Sequence, residues 1–445
     1  MKKTTMAAAA MVWFSVSLWG QQAGAPEASP SNTAALEQHV RELEDRVIAL
    51  EGKLRLLESA QNASPQPAAT AAQTSAPAPA PEVAAQTAPT EAAAAATSPP
   101  QLLGSSGSSA AAKALNPDVS VIGDFIGAVG GNSPPALATL QPPPSLQMHE
   151  SEIGLQAIID PYARGDFFVS FGETGVSVEE GYITLTALPA GFVVKAGKMR
   201  SAFGKVNMMH NHVLPWVDRP LVTTNLVGGE DGIDDAGFSV ERILPAPKGI
   251  FLEATGQVLR GDSADVFQET KRSDVSTVAH LRGYRDLTES TNLDLGLSYA
   301  RGHNNGLNLS NVPGDFLTQL YGADATLRWK PLRRSIYHSF IGRGEFIWSQ
   351  RQQLPREQRA FGFYASGDYQ FGRRWFAGGR YDWSDRSRFD HLTDKGVAAT
   401  LTYWPSEFSQ LRGEYRFTHY AENRDSNEFL MQLIFSLGAH GAHPF

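Results

Sequence analysis

The sequence contains no cysteine, which excludes disulfides, thiolate metal sites and a lipidated N-terminal cysteine. Beyond its first 20 residues it has no run of about 18 apolar residues, so a transmembrane helix is excluded. The net charge of −8 argues against a nucleic-acid partner. No GxSxG motif occurs and no histidine stands beside a candidate serine, so we expect neither an enzyme nor a cofactor. A membrane function would have to rest on β-strands.

Residues 1–25 are typical of a secretory signal peptide. Lys2 and Lys3 precede the apolar run MAAAAMVWFSVSLWG, and Ala23 and Ala25 form a small-x-small cleavage pattern. This pattern predicts that the protein leaves the cytoplasm.

Residues 34–60 predict an α-helical coiled coil. Apolar residues recur at alternating spacings of four and three, while glutamates at e positions face basic residues at g positions of a parallel neighbour. The seam consists of Leu36, Val40, Leu43, Val47, Leu50, Leu54 and Leu57. A homo-oligomer explains this order better than a lone amphipathic helix. Valine at two a positions favours a dimer, but Leu54 at a third weakens that preference, so the seam leaves the strand number open.

Residues 61–115 predict a disordered linker, because alanine, proline, threonine and serine dominate and large apolar residues are scarce. Proline keeps such a segment extended, so it can separate the coiled coil from the domain that follows.

Residues 116–445 alternate with period two. In YGADATLRW, Tyr321, Leu327 and Trp329 share one face, and Asp324 and Arg328 lie on the other. A soluble sandwich also alternates. Here the polar face carries charges of both signs, and the apolar face carries aromatics near strand ends, as in the interfacial girdle of a membrane barrel. These aromatics are Trp329, Trp348, Tyr369, Trp375, Tyr381, Trp383, Tyr403 and Phe417. The fold class we predict is therefore all-β, a transmembrane antiparallel β-barrel.

The pattern predicts about sixteen strands, at 119–129, 148–159, 164–172, 177–187, 191–200, 235–243, 249–260, 276–286, 290–302, 316–329, 335–349, 358–371, 374–383, 395–404, 409–420 and 427–438. Connections alternate between short turns and mostly longer loops, as in outer-membrane barrels with periplasmic turns and outer loops. An even strand number places both chain ends, with the coiled coil and linker, in the periplasm.

The longest connection follows the fifth strand, over residues 201–234, and a long ordered loop is usually functional. Together with that strand it includes VVKAGKMRSAFGKVNMMHNHVLPWVDRP, which is rich in basic residues. We predict that these residues and the arginines of the polar barrel face line the pore. The candidates are Lys195, Lys198, Arg200, Lys205, Arg219, Arg282, Arg328, Arg343, Arg380, Arg412 and Arg416. The alternative is that they are ordinary lumen charges paired with acids.

His210 and His212 stand two residues apart, which places both rings on one face of an extended chain. His149, Asp231 and Asp234 are candidates for further ligands of a metal. Two histidines in a loop are weak evidence, so no metal is assigned to the pair.

The stretch VVKAGKMRSAFGKVN resembles the strand-and-turn signature of the phosphate-selective porin O and P family, and the loop after the fifth strand is the one that narrows the pore in sixteen-stranded porins. The resemblance implies a trimer of barrels that passes anions such as phosphate. The charge departs from the family: subtracting seven basic and nine acidic residues before position 116 from totals of 38 and 46 leaves 31 basic against 37 acidic residues.

The expected function is passive diffusion of small hydrophilic solutes across the outer membrane. The expected partners are outer-membrane lipid, lipopolysaccharide, further copies of the chain and, through the terminal Phe445, the barrel assembly machinery. Two alternatives are uptake of metal ions or complexes through the histidine-bearing loop, and a tether that reaches the peptidoglycan through the coiled coil and linker.

Overall fold

The computed structural model describes residues 117–438, except for residue 174, residue 264 and residues 307–315. The predicted signal peptide, coiled coil, linker and terminal Phe445 lie outside these residues. No helix among the described residues is long and apolar enough to cross a membrane.

The described chain is almost entirely β-structure. Its strands are β1 (Asp118–Gly130), β2 (Leu146–Met148), β3 (Ser151–Asp160), β4 (Ala163–Gly172), β5 (Gly175–Leu185), β6 (Phe192–Arg200), β7 (Asp234–Leu244), β8 (Ile250–Leu259), β9 (Ser276–Thr288), β10 (Thr291–Asn304), β11 (Phe316–Trp329), β12 (Ser339–Arg351), β13 (Gln358–Gln370), β14 (Trp375–Asp385), β15 (Thr393–Ser406), β16 (Ser409–Tyr420) and β17 (Arg424–Gly438). One α-helix, α1 (Leu221–Leu226), lies between β6 and β7, as do two 3-10 turns, Val206–Met208 and Asn211–Val213.

From β3 to β17 every strand pairs antiparallel with the next one along the chain, and β1 closes the sheet by pairing with both β17 and β3. In the pairing of β1 with β17 that closes the barrel, Phe125 lies opposite Leu433. The short β2 also pairs with β1, ahead of β3, so β2 and β3 together occupy one place in the wall. The barrel wall is therefore sixteen strands around, with β2 and β3 counted as one. This confirms the predicted fold class and strand number. The predicted strand bounds are confirmed to within a few residues, and the largest difference is at the start of β12.

Side chains alternate between an apolar outer surface and a polar interior. On β10, Leu295 and Leu297 are 48% and 60% exposed, whereas Asp294 and Ser298, which flank them, are 1% and 7% exposed. The aromatics Trp348, Tyr369, Trp375 and Tyr381 are also among the exposed outer residues. Burying charge and exposing leucine is the reverse of a water-soluble domain, and it is the pattern that a lipid environment selects.

The connections differ between the two rims of the barrel. Short turns join the strands at one rim, at 161–162, 186–191, 245–249, 289–290, 330–338, 371–374 and 407–408. The other rim carries the longer segments 131–145, 201–233 and 260–275. β1 starts and β17 ends at the rim of short turns. This is the asymmetry that the sequence predicts.

Candidate functional site

The segment 201–233, which we call the lumen loop, folds into the barrel. Phe203, Trp216 and Ile233 are fully buried in it, and they join residues of β8 to β13 in one apolar cluster. The loop thus has a core of its own, formed against the inner wall. The sequence left open whether this segment folds inward, and an inward fold is what the resemblance to sixteen-stranded porins implies for it.

Arg200 joins the two ends of the lumen loop, and we call this junction the loop neck. Its guanidinium donates to the carbonyl oxygens of Glu230 and Asp231, at 2.8 and 3.3 Å, and pairs with Glu179 at 3.0 Å. Asn207 closes the same neck by donating to the carbonyl oxygens of Ser201 and Ile233. The two ends of the loop are therefore held together, and the residues between them project across the lumen.

The Phe203–Gly204 turn fixes the first part of the loop on the wall. The Gly204 N–H donates to Ser298 Oγ on β10 at 2.9 Å, and the Val206 N–H approaches Glu345 on β12 at 3.5 Å. Gly204 has φ +63°, and a Cβ there would collide with the Glu345 carboxylate. Glycine is needed at this position for both backbone conformation and space.

Lys205 follows this turn and pairs with Asp294 of β10 at 3.0 Å. The same carboxylate receives Arg282 of β9 at 2.8 Å, and Arg328 of β11 lies 3.8 Å away. Three cations therefore share one acid. Lys205, Arg282 and Asp294 line an inner cavity of about 110 Å³, which Lys195 and Glu241 also line.

The central part of the loop lies against β3 and β5. His210 Nδ1 lies 2.6 Å from Glu152, and its Nε2 lies 3.0 Å from Glu180. Burial disfavours the charged ring, but the two carboxylates outweigh it and raise the pKa of His210 to about 9. Next to it, Asn211 donates to Glu150. Polar contacts, rather than apolar ones, hold this part of the loop to the wall.

Arg219 connects different parts of the lumen loop to one another. Its guanidinium donates to Asn211 Oδ1 at 3.0 Å and to the carbonyl oxygens of Val206 and Met209, at 2.9 and 2.6 Å. It makes no ion pair with a carboxylate of the described residues. Burial and the nearby Arg200 lower the pKa of Arg219 to about 9.

The far part of the loop binds the opposite wall. Asp218 lies between Arg380 of β14, at 2.6 Å, and Arg416 of β16, at 2.5 Å. Burial opposes ionisation, but the two guanidinium groups hold the pKa of Asp218 well below its usual range. Arg412 donates to the Trp216 carbonyl oxygen at 3.0 Å, and the Arg380 guanidinium lies 4.9 Å from the centre of the Trp216 ring.

Helix α1 carries the chain back over the lumen. The Leu221 N–H donates to Asp382 on β14, and Asn225 donates to Asp394 on β15. Leu221 also packs with Ala138 and Leu140, so the proline-rich connection 131–145 folds inward onto the helix.

An outer cavity of about 510 Å³ lies on the long-loop side of the lumen loop, and we call it the vestibule. Its charged lining is Asp218, Arg219, Glu230, Asp265, Arg351, Arg386, Arg388 and Arg416, with His149. Arg386 is neutralised by Asp394 and Glu422, each at 2.7 Å. Arg351, which is 2% exposed, donates to the Asp265 carbonyl oxygen at 3.1 Å and has no carboxylate partner among the described residues.

Ten of the eleven predicted pore residues lie in the lumen or at the loop neck. Arg343, the remaining one of the ten, pairs with Asp368 at 2.6 Å. Lys198 is the exception. It lies on the outward face of β6, opposite in register to Ala236 and close to the exposed Phe238, and it pairs with Asp234 at 2.9 Å. Lys195 and Lys198 stand three residues apart, and a spacing of three places two side chains on opposite faces of a strand.

The structure changes the predicted surroundings of the two histidines. His149 contacts Asp124 and Glu230, and Asp234 pairs with Lys198, so neither reaches His210. Glu152 joins His210 and His212 instead. Glu152, the vestibule residue Arg351 and the segment 131–145 were missed from the sequence. The period-two pattern does put Glu152 on the inner face, but it gives no sign of which loop residue comes to it.

No family model matches the chain. A protein of Aquifex aeolicus (strain VF5), described as an uncharacterized protein, is 30% identical over 389 residues, which are 75% of this chain and 81% of the relative. Among solved structures, the anion-selective porin from Comamonas acidovorans matches 72% of this chain and 99% of its own, with a TM-score of 0.50 and 12% identity. A loop-deletion mutant of OmpT, an outer-membrane protein of Vibrio cholerae, matches 73% of this chain and all of its own, with a TM-score of 0.49 and 10% identity. At these identities the Comamonas structure shows a common barrel fold and nothing finer.

Proposed function

This chain belongs to the same family as the Aquifex aeolicus protein, and we propose that it is an outer-membrane porin for passive diffusion of small hydrophilic solutes. The observation that carries the proposal is the lumen loop. It crosses a barrel with an apolar exterior and a charged interior, and it leaves cavities with charged lining residues on its two sides. A barrel built only as an anchor has no need for a charged lumen narrowed by an ordered loop.

We further propose that the vestibule favours anions. Of the five arginines in its lining, Arg386, Arg388 and Arg416 are paired with carboxylates. The guanidinium groups of Arg219 and Arg351 have no carboxylate partner among the described residues, and they carry the positive charge of this mouth. The inner cavity is nearly balanced, with four lysines and arginines against five carboxylates. A positive outer mouth can therefore draw anions in although the barrel as a whole is acidic, because a narrow low-dielectric passage responds to its nearest charges. Phosphate is one candidate solute.

The proposed pore lining consists of Lys195, Arg200, Lys205, Arg219, Arg282, Arg328, Arg343, Arg380, Arg412 and Arg416, with Arg351 added. The proposed assembly is a homotrimer in the outer membrane, with the coiled coil of residues 34–60 in the periplasm. The assembly rests on the heptad pattern and on the resemblance of the strand-and-turn stretch to trimeric porins.

Conductance in planar bilayers tests these proposals in turn. The purified barrel should insert in steps of constant conductance, and a salt gradient should give a reversal potential on the anion-selective side. Arg351→Gln should move the reversal potential toward cation preference. The matched control is Arg356→Gln, because Arg356 is an exposed residue of the connection 352–357 and does not line the vestibule.

The outcomes separate the two levels of the proposal. Folded barrels that conduct no ions contradict the porin function. Stepwise channels with cation preference contradict the anion proposal and leave the porin function in place.

A further inference from the structure

The lumen loop and the barrel wall meet at a buried cluster of Glu152, His210 and His212. We propose that this cluster is a binding site for a divalent transition metal of the zinc type, which ties the loop to the wall. The inference is independent of the proposed transport function, since it concerns a site in the folded barrel whether or not the barrel conducts.

The donor set suits such an ion. Two imidazoles and one carboxylate are a common set of protein ligands for zinc, and they leave a fourth position for water or another side chain. One donor atom from each of the three residues lies within 4.8 Å of the others. A tetrahedral site with bonds of about 2.1 Å needs donors roughly 3.4 Å apart. His210 Nδ1 and Glu152, which lie 2.6 Å apart, must therefore separate by about 1 Å to admit the ion.

The cluster is closed to solvent. Glu152, His210 and His212 are 1%, 1% and 2% exposed, although they come from two segments some 60 residues apart in the chain. The His210 and His212 rings are 5.7 Å apart, edge to face. A site of this burial differs from the surface acids that attract cations only weakly, because the ligands are already dehydrated and oriented.

The two ring nitrogens of His210 are placed as they are in a metal-bound histidine, with one toward the cluster and the other toward a carboxylate outside it. While Nδ1 faces Glu152, Nε2 lies 3.0 Å from the Glu180 carboxylate on β5. Metal-bound histidines almost always donate their second ring nitrogen to a carboxylate, carbonyl or water, which fixes the tautomer and the ring plane. Glu180 therefore leaves Nδ1 as the ligating nitrogen, on the side of Glu152.

The charges around the cluster also suit a divalent cation. Glu150, Glu152, Glu179 and Glu180 surround the histidines, and the permanent cations that contact this group are Arg200 and, through Asn211, Arg219. With His210 neutral, as a metal ligand must be, four carboxylates against two guanidinium groups leave two negative charges in a buried place, which is unfavourable unless they are balanced. A divalent ion supplies the missing charge, and Glu179, 3.3 Å from His210 Nδ1, is within reach as a fourth ligand.

Metal binding to the untagged, folded barrel tests the site. After treatment with EDTA and dialysis, the protein should take up one Zn²⁺ per chain, measured by elemental analysis and titration calorimetry. Co²⁺ in its place should give the visible absorption of a tetrahedral site with nitrogen ligands. His212→Ala and Glu152→Gln should each weaken Zn²⁺ binding by roughly 100-fold or more, and Glu180→Gln, an outer contact, by about 10- to 100-fold.

Two matched controls locate the binding. His280→Ala removes a buried lumen histidine outside the cluster, and His440→Ala with His443→Ala removes those near the C-terminus, so Zn²⁺ binding should persist in both. Heat-modifiable migration on gels confirms that each variant is folded. If a cluster variant fails to fold, the Co²⁺ spectrum of the wild-type barrel still tests the proposal without it. Three results would each overturn the proposal: no uptake of Zn²⁺ by the folded wild-type barrel, a Co²⁺ spectrum of an octahedral oxygen site, or Zn²⁺ uptake unchanged in folded His212→Ala. Protonated histidines would then balance the negative charge of the cluster.

Discussion

Asp218 Oδ1 of the lumen loop lies 2.6 Å from Arg380 Nη2 on β14, so a residue of the loop binds a strand that follows it by 162 positions. The same carboxylate binds Arg416 through its second oxygen. The pairing places the loop across the lumen, from its neck at β6 to the opposite wall. It also makes Asp218 the shared neutralising group of two buried arginines.

Asp218→Asn should destabilise the barrel by about 3 kcal/mol, the usual cost of removing one partner from a buried ion pair. Arg380 and Arg416 keep Asp382 and Glu428, so the barrel should still fold. The measurement is the urea midpoint of the refolded barrel in detergent or lipid. Asp262→Asn is the control: Asp262 pairs with Arg260 where both side chains are about half exposed, and it should change stability by less than about 1 kcal/mol.

Low pH should remove the stabilisation that the Asp218 carboxylate provides. The folded-state pKa of Asp218 lies below its unfolded value, so the stabilisation is fully present above the unfolded value of about 3.9 and is lost as the pH falls through the folded value. Arg380, Arg416 and the Glu414 carboxylate, which accepts from the Val217 N–H, face this group. The difference in urea midpoint between wild type and Asp218→Asn should be constant from pH 8 to about 5 and shrink below about 4. A difference independent of pH down to about 2 would contradict the assigned charge.

Gly204→Ala should cost more than Gly229→Ala. Both glycines have positive φ, +63° and +71°, so alanine strains both by about 1–2 kcal/mol. Only at Gly204 would the new Cβ meet the buried Glu345 carboxylate, while nothing lies within 4 Å at Gly229. The excess loss of unfolding free energy in Gly204→Ala measures how firmly the turn is seated on β12. Equal losses would show that the loop can move away from the wall.

Lys195 and Lys198 provide a matched pair for the pore. Lys195 lines the inner cavity and pairs with Glu241 at 3.1 Å, whereas Lys198 faces outward and pairs with Asp234. Lys195→Gln leaves Glu241 unbalanced in the lumen, so the anion-to-cation permeability ratio should fall, by roughly a factor of two. Lys198→Gln should leave the ratio unchanged. The check is the reversal potential in a potassium chloride gradient, and equal shifts for both variants would contradict the assigned orientation of the strand.

Removal of residues 34–60 should weaken assembly of the oligomer. The heptad seam from Leu36 to Leu57 predicts a parallel self-association that is lost with the segment. Chemical crosslinking of the full chain should give a trimer as the largest product, with less trimer after deletion. A dimer would contradict the proposed assembly, and an unchanged trimer would show that barrel contacts suffice.

The barrel was predictable because its signal is local. Leu295 and Leu297 alternate with Asp294 and Ser298 within one strand, and no knowledge of neighbouring strands is needed to assign the two faces. Turn lengths are equally local, and they separated the two rims. The same rule, applied strictly to β6, would have placed Lys195 and Lys198 on opposite faces.

The lumen loop was predictable in position but not in its contacts. Its length indicated a functional loop, the resemblance to sixteen-stranded porins implied a constriction, and its basic residues indicated a charged passage. Its partners were not accessible, because Glu152, Asp294, Arg380 and Arg416 lie on strands separated from it by up to 198 residues.

The amino-acid sequence by itself determined that this protein forms a β-barrel with an apolar exterior, a charged interior and one long segment in the position of a constriction. Side-chain period and turn length are properties of neighbouring residues, so they can be read along the chain. Only the tertiary structure decided that His210 and His212 meet Glu152 and that Asp218 lies between two arginines. Those contacts depend on closure of the sheet between β1 and β17 and on the path of the loop across it, and neither has a local signature.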